Sequence, residues 1–188
     1  WLEDCERPPR SLNSEISERG VDALIEVSEF RYVSWRWKVD YATMKDQQVE
    51  QGKKLKSKYD DFPAKFGITI QRKGSSSIRE VAYIWSKTLP EDLMFRAETT
   101  IIPKIWKLKW WRFVAESGLE NPGTWVPEVR DLYEDYKKAY PGEEPGKILR
   151  VYLMTDSDNT KSRASTWYAD ITFHKEAPER PLVSDGDG

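Results

Sequence analysis

Hydrophobic and polar positions alternate in several separate stretches of the chain, and that alternation predicts a β-rich fold. In Tyr32-Val33-Ser34-Trp35-Arg36-Trp37-Lys38-Val39, the residues Val33, Trp35, Trp37 and Val39 share one face and polar groups take the other. A period of two marks a half-buried strand. The period returns at Phe66-Gly67-Ile68-Thr69-Ile70 and stops at Lys73-Gly74-Ser75-Ser76-Ser77, a turn by composition. Val81, Tyr83 and Trp85 alternate with Ala82 and Ile84, so this strand is apolar on both faces and reads as central. Residues 98–102 and 106–115 read as two more strands with Pro103 between them. The second points Trp106, Leu108 and Trp110 one way and Trp111 and Phe113 the other. Ile148–Met154 reads as a further strand, apolar on both sides, and Ala164–Phe173 as the last.

One stretch changes period. Val129, Leu132, Tyr133, Tyr136 and Tyr140 form a stripe at helical spacing, which predicts a helix over about 124–140. Thr124 suits its N-cap, Pro127 its first turn, Glu128 and Asp131 the positive end of its dipole, and Pro141-Gly142 stops it. Residues 42–61 are polar, with Lys45, Lys53, Lys54, Lys56 and Lys58 against Asp46, Glu50, Asp60 and Asp61. They read as a long solvated loop or a short surface helix. Strands in series, a single helix and no βαβ alternation predict a mainly β protein, an antiparallel β-sandwich or jelly roll. The organisation reads as a loose lead-in over 1–20, one domain over 21–175 and a disordered tail over 176–188.

Composition sharpens this in two ways. Nine Trp, nine Tyr and six Phe among 188 residues supply a sizeable core although 33% of residues are charged. A single His and a single Cys exclude a disulfide framework, Cys-rich zinc sites and metal sites needing two histidines. A formal net charge of -2 gives no reason to expect bulk nucleic-acid binding, and no apolar run is long enough to span a membrane. The chain starts at Trp1 without Met and so reads as a trimmed segment, from which any signal peptide is already gone. Cys5 reads as an incidental thiol near a loose end.

Candidate chemistry is therefore confined to carboxylates, Tyr, Lys and Arg. Asp156-Ser157-Asp158-Asn159-Thr160 is the sharpest local feature. Oxygen side chains so closely spaced can converge on Ca²⁺, or can simply form an Asx-type turn. Asp60-Asp61, Glu134-Asp135 and Asp156 with Asp158 are carboxylate pairs of the kind glycan-cleaving enzymes use, but sequence alone does not set their spacing in space. Glu128, Asp131 and Asp135 read as surface acids, and His174 as a surface or satisfied histidine. Trp35, Trp37, Trp85 and Trp167 sit at strand spacing and read as core. Trp106, Trp110, Trp111 and Trp125 are the better candidates for platforms that stack sugar rings. Lys104, Lys107, Lys109 and Arg112 make the 104–112 strip cationic. It reads either as a site for an anionic polymer or as an edge strand guarded by lysines.

Several of these segments fall in a familiar order. Trp35-Arg36-Trp37-Lys38-Val39, Lys58-Tyr59-Asp60-Asp61-Phe62 and Val81-Ala82-Tyr83-Ile84-Trp85-Ser86 come first. Trp125 with Glu128, Arg130-Asp131 and Asp135-Tyr136 follow, then Thr155-Asp156-Ser157-Asp158-Asn159-Thr160 and Trp167-Tyr168-Ala169-Asp170-Ile171-Thr172-Phe173. Over about residues 30–174 this resembles the bacterial family catalogued as domain of unknown function 3047. The resemblance implies a periplasmic or secreted location and a polar signature of Asp60, Asp61, Asp156, Asp158, Asn159 and Asp170. The closing strand is also similar to that of galactose-binding-like jelly rolls, in which an Asp at this point helps hold a structural Ca²⁺. On that likeness Asp156, Asp158, Asn159 and Asp170 are the candidate metal ligands. Asp60, Asp61, Trp106, Trp110 and Trp125 are the candidate ligand-binding residues. The expected function is a non-catalytic envelope module that binds a glycan or another anionic envelope polymer. A glycan-active hydrolase or lyase and a structural envelope protein are the alternatives.

Overall fold

A computed structural model describes residues 25–56, 59–99, 108–156, 161 and 163–179. The lead-in over 1–20 with Cys5, the Pro103 break, Trp106, Asp158, Asn159 and most of the tail lie outside the described residues. The described chain is a β-sandwich of two sheets. Its elements are β1 (Tyr32–Ala42), β2 (Ala64–Arg72), β3 (Ile78–Ser86), β4 (Met94–Thr99), β5 (Leu108–Ser117), β6 (Val126–Asp131), α1 (Leu132–Ala139), β7 (Pro145–Met154) and β8 (Ala164–His174). The three-stranded sheet runs β6-β1-β8 and the five-stranded sheet β4-β5-β3-β2-β7. All neighbouring strands are antiparallel except β3 and β5, which pair in parallel.

The alternation of β1 drives the packing. Val33, Trp35, Trp37 and Val39 are all buried against Ala64, Phe66, Ile68 and Ile70 of β2 and Val81, Tyr83 and Trp85 of β3. Trp35 is the hub, with ring centroids 5.3 Å from Trp37, 5.0 Å from Phe66 and 5.0 Å from Tyr83. Its neighbour β3 is buried on both faces from Val81 to Ser86 and lies at the centre of its sheet, as its two-sided apolar pattern predicts. His174 is satisfied, its Nε2 lying 2.7 Å from the Ser34 hydroxyl.

Several expectations are corrected. The helix begins at Leu132, because residues 126–131 form a strand that pairs with β1 from Tyr32↔Asp131 to Trp37↔Val126. Pro127 fits there because β6 is an edge strand, where a missing N–H costs nothing. Asp131 rather than Thr124 caps the helix, its side chain accepting from the Glu134 N–H at 3.0 Å. The strand expected at 98–102 is β4, which starts earlier, at Met94. The described part of the polar segment 42–61 is a loop, but not a freely solvated one: Met44, Gln47, Leu55 and Asp61 are buried, and Leu55 packs on the outer face of the five-stranded sheet. There Leu55, Phe62, Ile84, Leu89, Phe95 and Val114 build a second apolar cluster. Lastly, β5 is interior rather than a lysine-guarded edge, and β7 is the edge, leaving Leu149, Leu153 and Met154 exposed instead of buried on both sides.

The loop after α1 is tied to β3 by a bidentate ion pair, Arg79 Nε and Nη2 each donating to Glu143 at 2.7 Å. That pairing, more than any other contact, holds the Glu143 carboxyl below its usual value near 4.5. A depressed carboxylate stabilises the fold fully above its unfolded value and loses that contribution as pH falls through its folded value. Glu143→Gln is therefore expected to cost about 1 kcal/mol at pH 7. The two unfolding curves should converge as the pH is lowered below 4.5. Urea melts at several pH values check this.

Candidate functional site

Both outer faces of the sandwich carry polar and aromatic groups, by different means. On the five-stranded sheet the register aligns side chains in rows. Trp110, Glu80, Thr69 and Arg150 form one row across β5, β3, β2 and β7. Arg112, Ala82, Gly67 and Tyr152 form the next. The two small residues in the middle of that second row let the long outer ones fold inward. Tyr152 lies so close over Gly67 that an added Cβ would stand 2.1 Å from its Cζ. Its hydroxyl reaches β3 and donates to Glu80 Oε1 at 2.7 Å. Arg112 is 2% exposed, lies 5.3 Å from the Phe62 ring centroid and donates through Nη1 to Asp60. Its Nε has no hydrogen-bond partner among the described residues.

The electrostatics of this face follow from burial. Desolvation pushes the Glu80 carboxyl up, against the Tyr152 hydrogen bond and the charges of Lys65 and Arg150. Desolvation pulls the Lys65 ammonium down, against Glu80 and Asp156. It lowers the Arg112 guanidinium to about 10, against Tyr152 and Asp156. Asp60 and Asp156, far apart in sequence, thus both act on Arg112. Asp61 sits next to them but is buried, its backbone carbonyl accepting from the Gln47 amide. Trp110 shares this face and is half-buried, whereas Trp111 turns inward to pack on the core.

On the three-stranded sheet, Arg36 and Lys38 project outward between the core tryptophans of β1. The Lys38 ammonium lies 5.3 Å from the Trp125 ring centroid and 5.6 Å from that of Trp167, and the Arg36 guanidinium lies 5.5 Å from Trp125. Trp167 is 56% exposed, which corrects its assignment to the core: it stands opposite Lys38 in the register, on the outward face of β8. Its indole N–H donates to Asp40 Oδ2 at 2.5 Å. Asp170 occupies the irregularity of the β1–β8 ladder with φ 55°, a backbone region that Asp tolerates better than most residues. Its carboxylate pairs with Arg36 at 2.5 Å.

The candidate residues are thus divided. Asp60, Trp110 and Asp156 gather on the outer face of the five-stranded sheet, with Asp61 buried beside them. Trp125 lies on the opposite side of the sandwich, with Asp170. Of the proposed metal ligands, Asp156 faces Arg112 and Lys65 while Asp170 faces Arg36, so each already neighbours a cation and the two do not meet. Among the described residues no three His, Cys, Asp or Glu side chains gather as a metal requires, and Asp158 and Asn159 lie outside those residues. Glu128 and Asp135, read as surface acids, are buried: Glu128 accepts from the Trp37 indole at 3.3 Å and Asp135 from the Tyr83 hydroxyl at 3.1 Å. Lys65, Glu80 and Tyr152 are functional candidates that pattern reading passes over. The signal of the first two is a charge set in an apolar strand, as in Ala64-Lys65-Phe66 and Glu80-Val81-Ala82.

Among the described residues no helix is long and apolar enough to cross a membrane. No curated protein matches the chain. The model of one family, Protein of unknown function (DUF3047), matches residues 13–172, and the chain belongs to that family.

Proposed function

We propose that the chain is a non-catalytic binding module of the bacterial envelope, and that it takes a glycan on the outer face of the three-stranded sheet. The observation that carries this reading is Trp167, an indole more than half exposed and held by the Asp40 hydrogen bond and the Lys38 ammonium. Sugar rings present C–H faces that stack on indoles and hydroxyls that bond to charged side chains at the ring edge. Trp125 and Trp167 supply the first, and Arg36, Asp40 and Asp170 supply the second. Because these contacts fix the rings before any ligand arrives, little rotamer freedom is lost on binding.

The experiment is a glycan array of bacterial envelope polysaccharides, followed by calorimetry and an assay for released reducing or unsaturated ends. Saturable binding without product release is expected. Trp167→Ala should weaken it about 30-fold, the effect of removing a central aromatic anchor worth about 2 kcal/mol, with an unchanged melting temperature. Product release would favour the enzyme reading instead. Cell fractionation tests the envelope location.

A further inference from the structure

We propose that the cavity at the C-terminal end of β1 takes the acetamido group of an N-acetylated amino sugar. The inference rests on the glycan reading above and names the class of sugar that its site selects.

A cavity of about 180 Å³ opens where the end of β1 meets the loop between β5 and β6. Two glycines shape that loop: Gly118 and Gly123 stand at φ 90° and 79°, a region that side chains disfavour. The loop is tied down at both of them. The Gly118 N–H donates to the Ser86 carbonyl at 2.9 Å, and the Gly118 carbonyl accepts from the Trp85 indole at 2.6 Å. The Gly123 N–H donates to the Val39 carbonyl at 2.9 Å. The cavity is therefore in place before a ligand arrives. It is reached from solvent, since Tyr41 and Asn121, which both line it, are exposed.

The lining divides by chemistry. Val39, Ala42, Trp85 and Leu119 supply apolar surface. The Trp85 N–H is already used by Gly118, which leaves ring carbon to meet a ligand. Asp40 and Asn121 add a carboxylate and a primary amide. Among the described residues that line the cavity Asp40 alone is charged, so an anionic substituent would meet a like charge. An acetamido group matches the set: its methyl suits the apolar surface, its N–H the Asp40 carboxylate and its carbonyl the Asn121 N–H. An O-acetyl ester has the methyl and the carbonyl but would set a lone pair against Asp40. Size agrees, because at ~30 Å³ per water the cavity has room for about six waters, enough for a pendant group and too little for a chain of rings.

Asp40 joins the cavity to the glycan face. Its Oδ2 accepts from the Trp167 indole at 2.5 Å. Its Oδ1 lies 3.5 Å from the Lys38 ammonium and toward the loop, 3.9 Å from where a Cβ on Gly123 would stand. A carboxylate oxygen accepts more than one hydrogen bond, so Oδ1 keeps capacity for an amide N–H. A ring stacked on Trp167 thus has the cavity within one side chain of its edge.

The test titrates the whole chain, labelled with ¹⁵N, with matched methyl glycosides: N-acetylglucosamine against glucose, and N-acetylgalactosamine against galactose. The reporters are the Asn121 side-chain amide, identified by its absence in Asn121→Ala, and the Trp167 indole N–H, identified by its absence in Trp167→Ala. At least one acetylated sugar is expected to move both in a saturable manner and to bind about tenfold more tightly than its parent. Asn121 is exposed, so Asn121→Ala should keep the melting temperature and reduce that preference to about threefold. Equal binding of acetylated and parent sugars, or acetylated binding that leaves the Asn121 amide unmoved, overturns the inference and leaves the glycan reading standing. Movement of Asn121 without Trp167 supports the cavity and contradicts stacking on Trp167. Binding of none of the four overturns the inference, while the glycan array still decides the broader reading.

Discussion

Asp135→Ala is expected to remove about 3–5 kcal/mol of stability, the largest effect of any single charge change in this protein. Asp135 is 2% exposed and answers several donors at once. It accepts from Arg130 Nε at 3.0 Å and Nη2 at 3.3 Å, from the Tyr83 hydroxyl at 3.1 Å and from Lys138 at 3.4 Å. The three main members of this cluster belong to different parts of the fold: Tyr83 to β3, Arg130 to β6 and Asp135 to α1. The cluster therefore joins the two sheets across the core and fixes the helix to both. Its electrostatics agree with that role. The Asp135 charge holds the Arg130 guanidinium above its ordinary value in spite of burial, and burial followed by Asp135 drives the Tyr83 hydroxyl well above its own. Alanine would strand a buried guanidinium and a buried hydroxyl together. The urea midpoint is expected to fall steeply with little change in the slope, as for a loss of native stability. The paired change Arg130→Met with Asp135→Leu should recover much of the loss, because the cost lies in the orphaned partner and not in the absence of the pair. A single Asp135→Ala change costing less than about 1 kcal/mol would show that the cluster is solvated and not buried.

The second large effect is expected at Gly67. Its glycine is required by close approach, not by backbone angle: the Tyr152 ring fills the place where a side chain would begin, 2.1 Å from an added Cβ. Gly67→Val is expected to cost about 3 kcal/mol, adding the strain of overpacking to the broken Tyr152–Glu80 hydrogen bond. Gly67→Ala should cost less, since the far end of Tyr152 can shift, though at the expense of the same hydrogen bond. Combining Gly67→Ala with Tyr152→Ser opens the space again. Its effect should be smaller than the sum of the two single changes, a coupling that double-mutant unfolding measures directly. Strict additivity would mean that Tyr152 does not lie over Gly67 in solution.

The sequence is most readable where one residue class settles one structural question. The four inward residues of β1 and the doubly apolar β3 are of this kind, since period and burial coincide. Residues 126–131 are not. The stripe that begins at Val129 suits a helix, yet β1 offers an open edge some ninety residues earlier in the chain, and pairing with it outweighs local period. The segment 42–61 misleads for a similar reason. Its apolar residues have no periodicity, and the second apolar cluster is what explains the burial of Leu55, with Val49 and Tyr59 packed against it. Trp167 looks identical to a core residue in its strand pattern, and the face it takes depends on how β8 is registered against Lys38. As for the polar face, Asp60 and Asp156 stand out in sequence as acids in turns, but their convergence depends on Arg112, which is hidden between Trp111 and Phe113. Charges in apolar strands are the sign to look for, and Lys65, Glu80 and Arg112 all bear it.

The central claim, that exposed indoles on the three-stranded sheet form the glycan face, is tested most directly by the indole N–H spectrum. The protein would be labelled with ¹⁵N and titrated with the oligosaccharide that binds most strongly on the array. The indole resonances of Trp125 and Trp167 are expected to move together and saturate, while those of the core residues Trp35, Trp37 and Trp85 stay in place. Binding that leaves Trp125 and Trp167 unmoved would contradict the claim.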